Sequence, residues 1–366
     1  MTSSSTPKKK QNKRRRRLII FSLTSAAAIL LATSSYACYV ARSAWFQSEL
    51  LLSREPVSKI RKSGELTEKQ LSKLDLIDDV RVYGGEIGLK ATNNYRQIAW
   101  EWDRTIWNLS ASAPLEFHPK TWWFPIVGRV PYLGFFRKKD TRKWARRLDR
   151  RGWDVYLRTA GAYSTLGYFE DPILPGMLKW RDDQLANTVL HEMVHATVWI
   201  KGSVAFNESL ASFVGDNASL EYLKNRHGPE SQEFIAVIER REDQQTWRRL
   251  QRELYGHLRA IYANTSLTDE EKLAFKQRTF ADWPKRVEAA SFHKPERYLK
   301  AAQEGTWNNA RLLQFRAYNS NQSDFQAVLD AVDGNYPLFL DKVNEIVRGS
   351  SKPFTALKEA VRVQDF

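Results

Sequence analysis

Two histidines separated by three residues, with a glutamate directly after the first, are the residues of this sequence best suited to chemistry. They are His191, Glu192 and His195. On an α-helix this spacing stacks the two imidazoles on one face, about 5–6 Å apart at Cβ, so both can reach one metal ion. Glu192 is offset around the helix, where it would contact a water on the metal rather than the metal itself. From Leu185 to Ile200 the only charged residue is Glu192, which is typical of a helix buried beside a cleft.

A catalytic zinc site needs a third protein ligand and an open position for water. Residues 201–203, Lys-Gly-Ser, predict a turn that ends the first helix. A second helix from about Phe206 would then bring Glu208 back over the histidines. Asp216 and Glu221, further along that helix, are the alternative third ligands, and an ordinary N-cap or surface carboxylate is the alternative interpretation of Glu208.

The pattern H-E-x-x-H on a helix is the one that zinc metallopeptidases use. We therefore predict a Zn²⁺ site formed by His191, His195 and Glu208, with Glu192 as the catalytic acid and base. Zinc held by two imidazoles and a carboxylate lowers the pKa of its water from about 15.7 to around 7 and polarises the scissile carbonyl. Glu192 would take the proton of that water and pass it to the leaving amine.

Composition and charge exclude several classes of protein. The chain has 366 residues, is 42% hydrophobic and contains 13 Trp, 14 Tyr and 18 Phe, which excludes a disordered chain. The formal net charge is +15, but residues 1–17 hold eight cations and no acid, so the remaining 349 residues carry only +7. We therefore predict no nucleic-acid partner. The lone Cys38 excludes an intramolecular disulfide framework and a multi-cysteine metal site.

The N-terminus is predicted to direct the chain to a membrane. Residues 1–17 are basic and should stay in the cytoplasm, and the 24 uncharged residues 18–41 are long enough to cross a bilayer as a signal peptide or membrane anchor. Cleavage after Ala37 would release a secreted protein, cleavage before Cys38 would leave a lipid-bearing cysteine, and no cleavage would leave an anchor. We favour membrane attachment by one of the last two, to the inner or outer membrane, with residues 42–366 outside the cytoplasm in the cell envelope.

Most of the chain from Arg42 onward has helical periodicity, so the predicted class is predominantly α with a small β element. The predicted helices cover Arg42 to about Asn94, Tyr95 to Leu109, Lys138 to Arg151, and most of the C-terminal third from Glu230. The exception is a strand pair predicted over Asp154–Arg158 and Ala162–Phe169.

This strand pair precedes the metal helix and could take part in substrate binding. An edge strand can pair with an extended peptide substrate through main-chain hydrogen bonds. Tyr163, or alternatively Tyr168, could donate its hydroxyl to the developing oxyanion. Ordinary packing is the alternative for both tyrosines.

Asn309 and Arg311 are the predicted substrate-binding residues. An amide and a guanidinium could hold a peptide backbone or a terminal carboxylate over the zinc. Structural hydrogen bonding to a neighbouring loop is the alternative.

Several segments together resemble the bacterial putative aminopeptidase family of zinc-dependent H-E-x-x-H metallopeptidases. The three central ones are Ala162–Pro172, His191–Ala196 and Phe206–Ala211, and the outer ones are Tyr39–Pro56, Trp123–Gly128 and Trp307–Leu312. The resemblance extends from Cys38 to about Val347.

The resemblance implies a zincin-like catalytic domain with helical N- and C-terminal extensions, acting on peptides as an aminopeptidase. It also implies His191 and His195 as zinc ligands, Glu208 as the third ligand, and Glu192 as the catalytic residue. Two alternatives stay open: a tethered peptide-binding protein of the same fold without activity, and an amidase or endopeptidase acting on cell-wall peptides.

Overall fold

The computed structural model describes residues 35–124, 128–160, 170–318 and 322–363. The basic segment 1–17, most of the predicted anchor 18–41, and the predicted strand over 162–169 with Tyr163 lie outside the described residues. Within the described ranges, no helix combines the length and the apolar character needed to cross a bilayer.

The chain divides into two compact units after Leu52. In the described part of the first unit, helix α1 runs over Ser35–Leu52 and carries Cys38 at an exposed position. The lipidation of Cys38 stays a prediction.

The second unit is built mainly from helices, so the predicted fold class is confirmed. Its helices are α2 Val57–Ser63, α3 Glu68–Glu86, α4 Lys138–Asp149, α5 Asp182–Thr197, α6 Val204–His227, α7 Gln232–Ala263, α8 Asp269–Ala281, α9 Trp283–Glu288, α10 Pro295–Gln303, α11 Asn309–Tyr318, α12 Gln322–Ala331, α13 Tyr336–Val347 and α14 Pro353–Val363.

Among the described residues, three small sheets supply the β element. The strands are β1 Glu55–Pro56, β2 Gln97–Ile98, β3 Ile106–Ser112, β4 Trp122–Phe124, β5 Gly128–Val130, β6 Tyr132–Phe135 and β7 Asp154–Ala160. The largest sheet is antiparallel in the order β6-β3-β7, while β1 pairs with β2 and β4 pairs with β5.

The predicted helix over Tyr95–Leu109 is wrong. The chain forms β2, a turn, and then β3 at the centre of the three-stranded sheet. Residues 107–112 alternate strictly between apolar and polar side chains, which is a strand signal that the helical interpretation missed. Six of the seven residues of β3 are nevertheless buried, because the strand lies at the centre of the sheet between partners from distant parts of the chain.

The predicted strand from Asp154 is confirmed as β7. Its described partner is β3, with Leu109 opposite Leu157 and Asn108 opposite Arg158. In the described part of the sheet, β7 is therefore an edge strand.

Glycines let the neighbouring helices approach α5 closely on two sides. A Cβ at Gly84 of α3 would lie 2.6 Å from Met193 Cε of α5. A Cβ at Gly215 of α6 would lie 3.1 Å from the carbonyl oxygen of Asn187 and 3.4 Å from His191 Cβ. Because the contact at Gly215 involves the backbone of α5, α6 cannot carry a branched side chain there without moving away.

The substitution Gly215→Val is expected to lower the free energy of unfolding by about 1–3 kcal/mol through overpacking between α5 and α6. Urea denaturation measures the loss. Gly256→Val is the matched control, because a Cβ at Gly256 of α7 meets no atom within 4 Å. Equal effects in the two variants would contradict a close helix contact at Gly215.

Candidate metal centre

Helix α5 carries His191, Glu192 and His195, each of which is half-buried. Its first turn contains Asp182 and Asp183, whose negative charges suit the positive end of the helix dipole. Each acid also has a basic partner on another helix: Asp182 pairs with Lys73 of α3 and Asp183 with Arg240 of α7. The apolar residues that α5 buries are Leu185, Ala186, Val189, Leu190, Met193 and Val194. The helix is therefore fixed at its start and along its length.

A short connection returns the chain to α5 and places Glu208 in the first turns of α6. Gly202 has φ +82°, a left-handed conformation that suits glycine in this turn. The side chain of Asn207, only 1% exposed, ties the connection together. Its Oδ1 accepts from the Ile200 N–H at 2.9 Å, and its Nδ2 donates to the Ile200 carbonyl at 2.9 Å. Asn207 thus sets the position from which the next residue, Glu208, reaches the histidines.

The side chains of His191, His195 and Glu208 converge on one point. The Nε2 atoms of the two histidines are 3.1 Å apart, and Glu208 Oε2 is 3.4 Å from His191 Nε2. Glu208 Oε1 is 3.8 Å from His195 Nε2. Among the described residues, one cluster of three or more His, Cys, Asp or Glu side chains has ligand atoms that all lie within 4.8 Å of one another. It consists of these three residues. The group could hold a metal ion.

The surroundings of the three side chains favour an ionised Glu208 carboxylate and a neutral His195 imidazole. Burial lowers the pKa of His195 to about 4, and His191 acts in the same direction. For His191, burial alone would lower the pKa, but the hydrogen bond with Glu208 and the nearby acidic charges raise it. Burial alone would raise the pKa of Glu208, but the hydrogen bond with His191 and the charges of both histidines and Arg158 lower it.

A polar cluster behind His191 joins α5, α6 and α7. Asn187 Nδ2, one turn before His191, donates to Asp216 Oδ1 at 2.7 Å, and Arg248 Nη1 donates to Asp216 Oδ2 at 2.8 Å. Asp216 therefore has partners of its own and lies outside the converging group, and Glu221 is exposed. Of the three acids considered as the third ligand, the structure brings only Glu208 to the histidines.

The ring of His195 is held by packing. Trp199 lies edge-on to it, with ring centroids 5.6 Å apart and planes at 74°. In the part of the chain that the structure describes, His195 Nδ1 is buried without a hydrogen-bond partner.

Tyr95 is a neighbour of Glu192 that the sequence did not indicate. It is 1% exposed and has φ +64°, which is uncommon for a residue other than glycine. Its N–H donates to the Asp171 carbonyl at 2.8 Å. Burial raises the pKa of Tyr95 well above its ordinary value, and the charges of Glu192 and Asp171 add to this effect. A neutral phenol therefore lies within range of the Glu192 charge.

Asn309, a predicted substrate-binding residue, makes several hydrogen bonds within the protein. It is fully buried, and its Nδ2 donates to the carbonyls of Ala113 and Pro114 at 3.0 and 3.1 Å. Its Oδ1 accepts from the Tyr262 hydroxyl at 2.8 Å, and its N–H donates to Asp154 Oδ2 at 2.8 Å. These contacts support the alternative to substrate binding, in which Asn309 fixes the start of α11 against a neighbouring loop.

Arg311 is likewise occupied within the protein. Its guanidinium donates to the carbonyls of Glu304 and Ala301, each at 3.0 Å, and lies 3.8 Å from the centroid of the Trp307 ring. The predicted substrate-binding role of Arg311 finds no support in these contacts.

The substitution Asn207→Ala is expected to weaken metal binding about 10–100-fold, the usual effect of losing a group that orients a ligand. The reason is that the N–H and the carbonyl of Ile200 both lose their hydrogen-bond partner. The turn between α5 and α6 is then no longer held in the conformation that positions Glu208. A competition titration with a chromogenic chelator measures the affinity. Asn225→Ala, at an exposed position of the same helix, is the control. An affinity equal to that of the control would contradict a positioning role for Asn207.

Comparison with known proteins gives one match. The sequence model of the family described as putative aminopeptidase matches residues 38–356. No curated protein and no solved structure matches the chain significantly.

Proposed function

Because the chain belongs to the putative aminopeptidase family, we propose that it is a zinc metallopeptidase that removes residues from the N-terminus of peptides. The observation that carries the proposal is the convergence of His191, His195 and Glu208 from two adjacent helices, with Glu192 beside them on α5.

The spacing of the three donors suits zinc. Ligands at about 2.0–2.1 Å in a tetrahedral arrangement lie about 3.3 Å from one another. The two Nε2 atoms are 3.1 Å apart, Glu208 Oε2 is 3.4 Å from His191 Nε2, and Glu208 Oε1 is 3.8 Å from His195 Nε2. Two imidazoles and one carboxylate also form a ligand set of known catalytic zinc sites. We therefore propose these residues as the zinc ligands.

Glu192 would carry the proton transfers. Bound zinc supplies Lewis-acid chemistry, lowering the pKa of water to around 7 and polarising the scissile carbonyl. Glu192 accepts a proton from the attacking water and delivers it to the nitrogen of the leaving amine. Tyr95, which is 1% exposed, places a neutral phenol within range of the Glu192 charge.

The edge of β7 that has no partner among the described strands is the surface that we propose for the substrate backbone. β7 is an edge strand in the described part of the sheet, and Arg158 on β7 is close enough to Glu208 to lower its pKa. A peptide extended along this edge would pair with main-chain groups and pass near the metal ligands. Tyr163, the predicted oxyanion donor, follows β7 in the chain and stays a proposal.

We further propose that the enzyme is attached to a membrane and works outside the cytoplasm. The support is the sequence alone: eight cations in residues 1–17, followed by the uncharged segment 18–41.

The test is a screen of the full-length protein against matched peptides with free and acetylated N-termini. We expect release of N-terminal residues from the free peptides only, loss of this activity with a chelator, and recovery with Zn²⁺. Zinc binding without turnover over a broad panel would instead identify a peptide-binding protein. Cleavage of blocked peptides or of cell-wall stem peptides would identify an endopeptidase or amidase.

A further inference from the structure

Helix α4 and its flanking residues hold a large share of the positive charge of the protein. Residues 137–151 contain nine cations and two acids, a net charge of +7. The whole chain carries +15, of which residues 1–17 account for eight. The rest of the chain is therefore neutral overall, and the charge of the second unit is concentrated in this one helix.

The cations of α4 form a stripe on its exposed side. The helix buries Thr141 and Leu148. At about 100° per residue, five exposed cations occupy an arc of about 100° on the opposite side. We call them the cationic stripe: Lys139, Arg142, Lys143, Arg146 and Arg150.

The stripe places like charges next to each other, which destabilises a helix. Lys139 and Lys143 are four residues apart, as are Arg142 and Arg146. Elsewhere in the chain, some exposed residues four positions apart form pairs of opposite charge. Examples are Glu55 with Lys59, Arg249 with Glu253, and Lys300 with Glu304. Five cations gathered on one exposed arc of a helix favour an anionic partner at this face.

We propose that the cationic stripe binds the anionic headgroups of a lipid bilayer. Clusters of four to eight Lys or Arg on an amphipathic helix are typical of binding to such surfaces. The one aromatic residue of α4, Trp144, is half-buried and packs 6.2 Å from Phe135, so the stripe has no rings on which bases could stack.

The pair of strands β4 and β5 carries a second residue suited to a membrane surface. Trp123 of β4 is 58% exposed, and tryptophan favours the headgroup level of membranes. Lys120 joins these strands to the end of the helix, because its ammonium lies 5.7 Å from the Trp122 ring and 4.8 Å from the Trp153 ring. The inference rests on the proposed membrane location, but not on the proposed chemistry.

Lysine acetylation read by mass spectrometry tests the proposal on the full-length protein. Lys139 and Lys143 are the reporters within the stripe, and Lys285 and Lys300, whose side chains are 81% and 72% exposed, are the controls. Vesicles of phosphatidylcholine mixed with phosphatidylglycerol are expected to slow acetylation of the two reporters at least about fivefold. Vesicles of phosphatidylcholine alone should not, and raising the salt from about 0.1 to about 0.5 M should remove the protection.

A pair of matched variants completes the test. Arg142→Gln with Arg146→Gln removes two stripe charges and keeps both reporter lysines, so the protection should be lost. Arg249→Gln with Arg252→Gln removes two exposed charges from α7 and should change nothing. Zinc content and peptide hydrolysis, measured on the same samples, should be unaffected in both, so this test can fail while the proposed activity stands.

Three results would overturn the proposal: no protection by the anionic vesicles, equal protection by phosphatidylcholine alone, or protection that persists in the stripe variant. Protection by duplex or single-stranded DNA at lower concentrations than by anionic vesicles would also overturn it, in favour of a nucleic-acid partner.

Discussion

The substitution Glu192→Gln is expected to lower kcat/KM for peptide hydrolysis about 10²–10⁴-fold and to leave the zinc content unchanged. Glutamine has the size of glutamate, so the packing of α5 against α3 and α6 should persist. It cannot accept a proton at neutral pH, so the water loses its base and the leaving amine loses its acid. Steady-state kinetics and elemental analysis of the same preparation separate the two effects.

The control for this variant is Glu221→Gln, which makes the same chemical change at an exposed position of α6. It should have normal zinc content and normal activity. If Glu192→Gln lost zinc to the same degree as His191→Ala, Glu192 would be a ligand rather than the proton carrier. Full activity in Glu192→Gln would exclude any catalytic role for this residue.

The substitution Glu208→Gln is expected to weaken zinc binding more than about a hundredfold, above the 10–100-fold typical of groups that only orient a ligand. Glu208 is 7% exposed and has a lowered pKa, so it meets the histidines as a buried carboxylate. Glutamine removes its charge and leaves two imidazoles to hold a dication. A chelator competition titration gives the affinity, and hydrolysis should fall in parallel.

Asp216→Asn is the comparison that identifies the third ligand. Asp216 contacts Asn187 and Arg248, so its loss should disturb only the support behind His191 and weaken zinc binding less than Glu208→Gln does. A larger effect of Asp216→Asn than of Glu208→Gln would contradict the assignment of Glu208.

The two helices of the metal centre could be predicted because their signals are local. The spacing of His191 and His195 requires a helix, and Gly202 in the following turn indicates where that helix ends. The structure has α5 over Asp182–Thr197 and α6 over Val204–His227. Glu208 follows from the same reasoning, since a short connection between antiparallel helices returns the chain to the histidines.

The residues that position the proposed ligands by hydrogen bonds are harder to predict, because most of their partners are not indicated by a local sequence pattern. Asn207 precedes Glu208 in the sequence, but its hydrogen-bond partners, the N–H and the carbonyl of Ile200, are identified only from the conformation of the turn. Asn187 lies four residues before His191, a spacing that places both on one face, and this signal could have been used. Arg248 comes from α7, and no local pattern connects it with Asp216.

Two features of the structure depend on packing between distant parts of the chain. The alternation of apolar and polar residues over 107–112 could have predicted β3, but its pairing with β6 and β7 depends on distant parts of the chain. Asn309 has the chemistry of a substrate-binding residue, but the fold surrounds it with the carbonyls of a distant loop and the hydroxyl of Tyr262. Residue type alone does not distinguish a buried amide with structural partners from one that faces a cleft.

Anomalous diffraction at the zinc edge, from crystals of the zinc-loaded protein, tests the central claim most directly. We predict an anomalous peak within about 2.0–2.2 Å of His191 Nε2, His195 Nε2 and a carboxylate oxygen of Glu208. The absence of a peak at this point, or a zinc peak bound by other residues, would contradict the account.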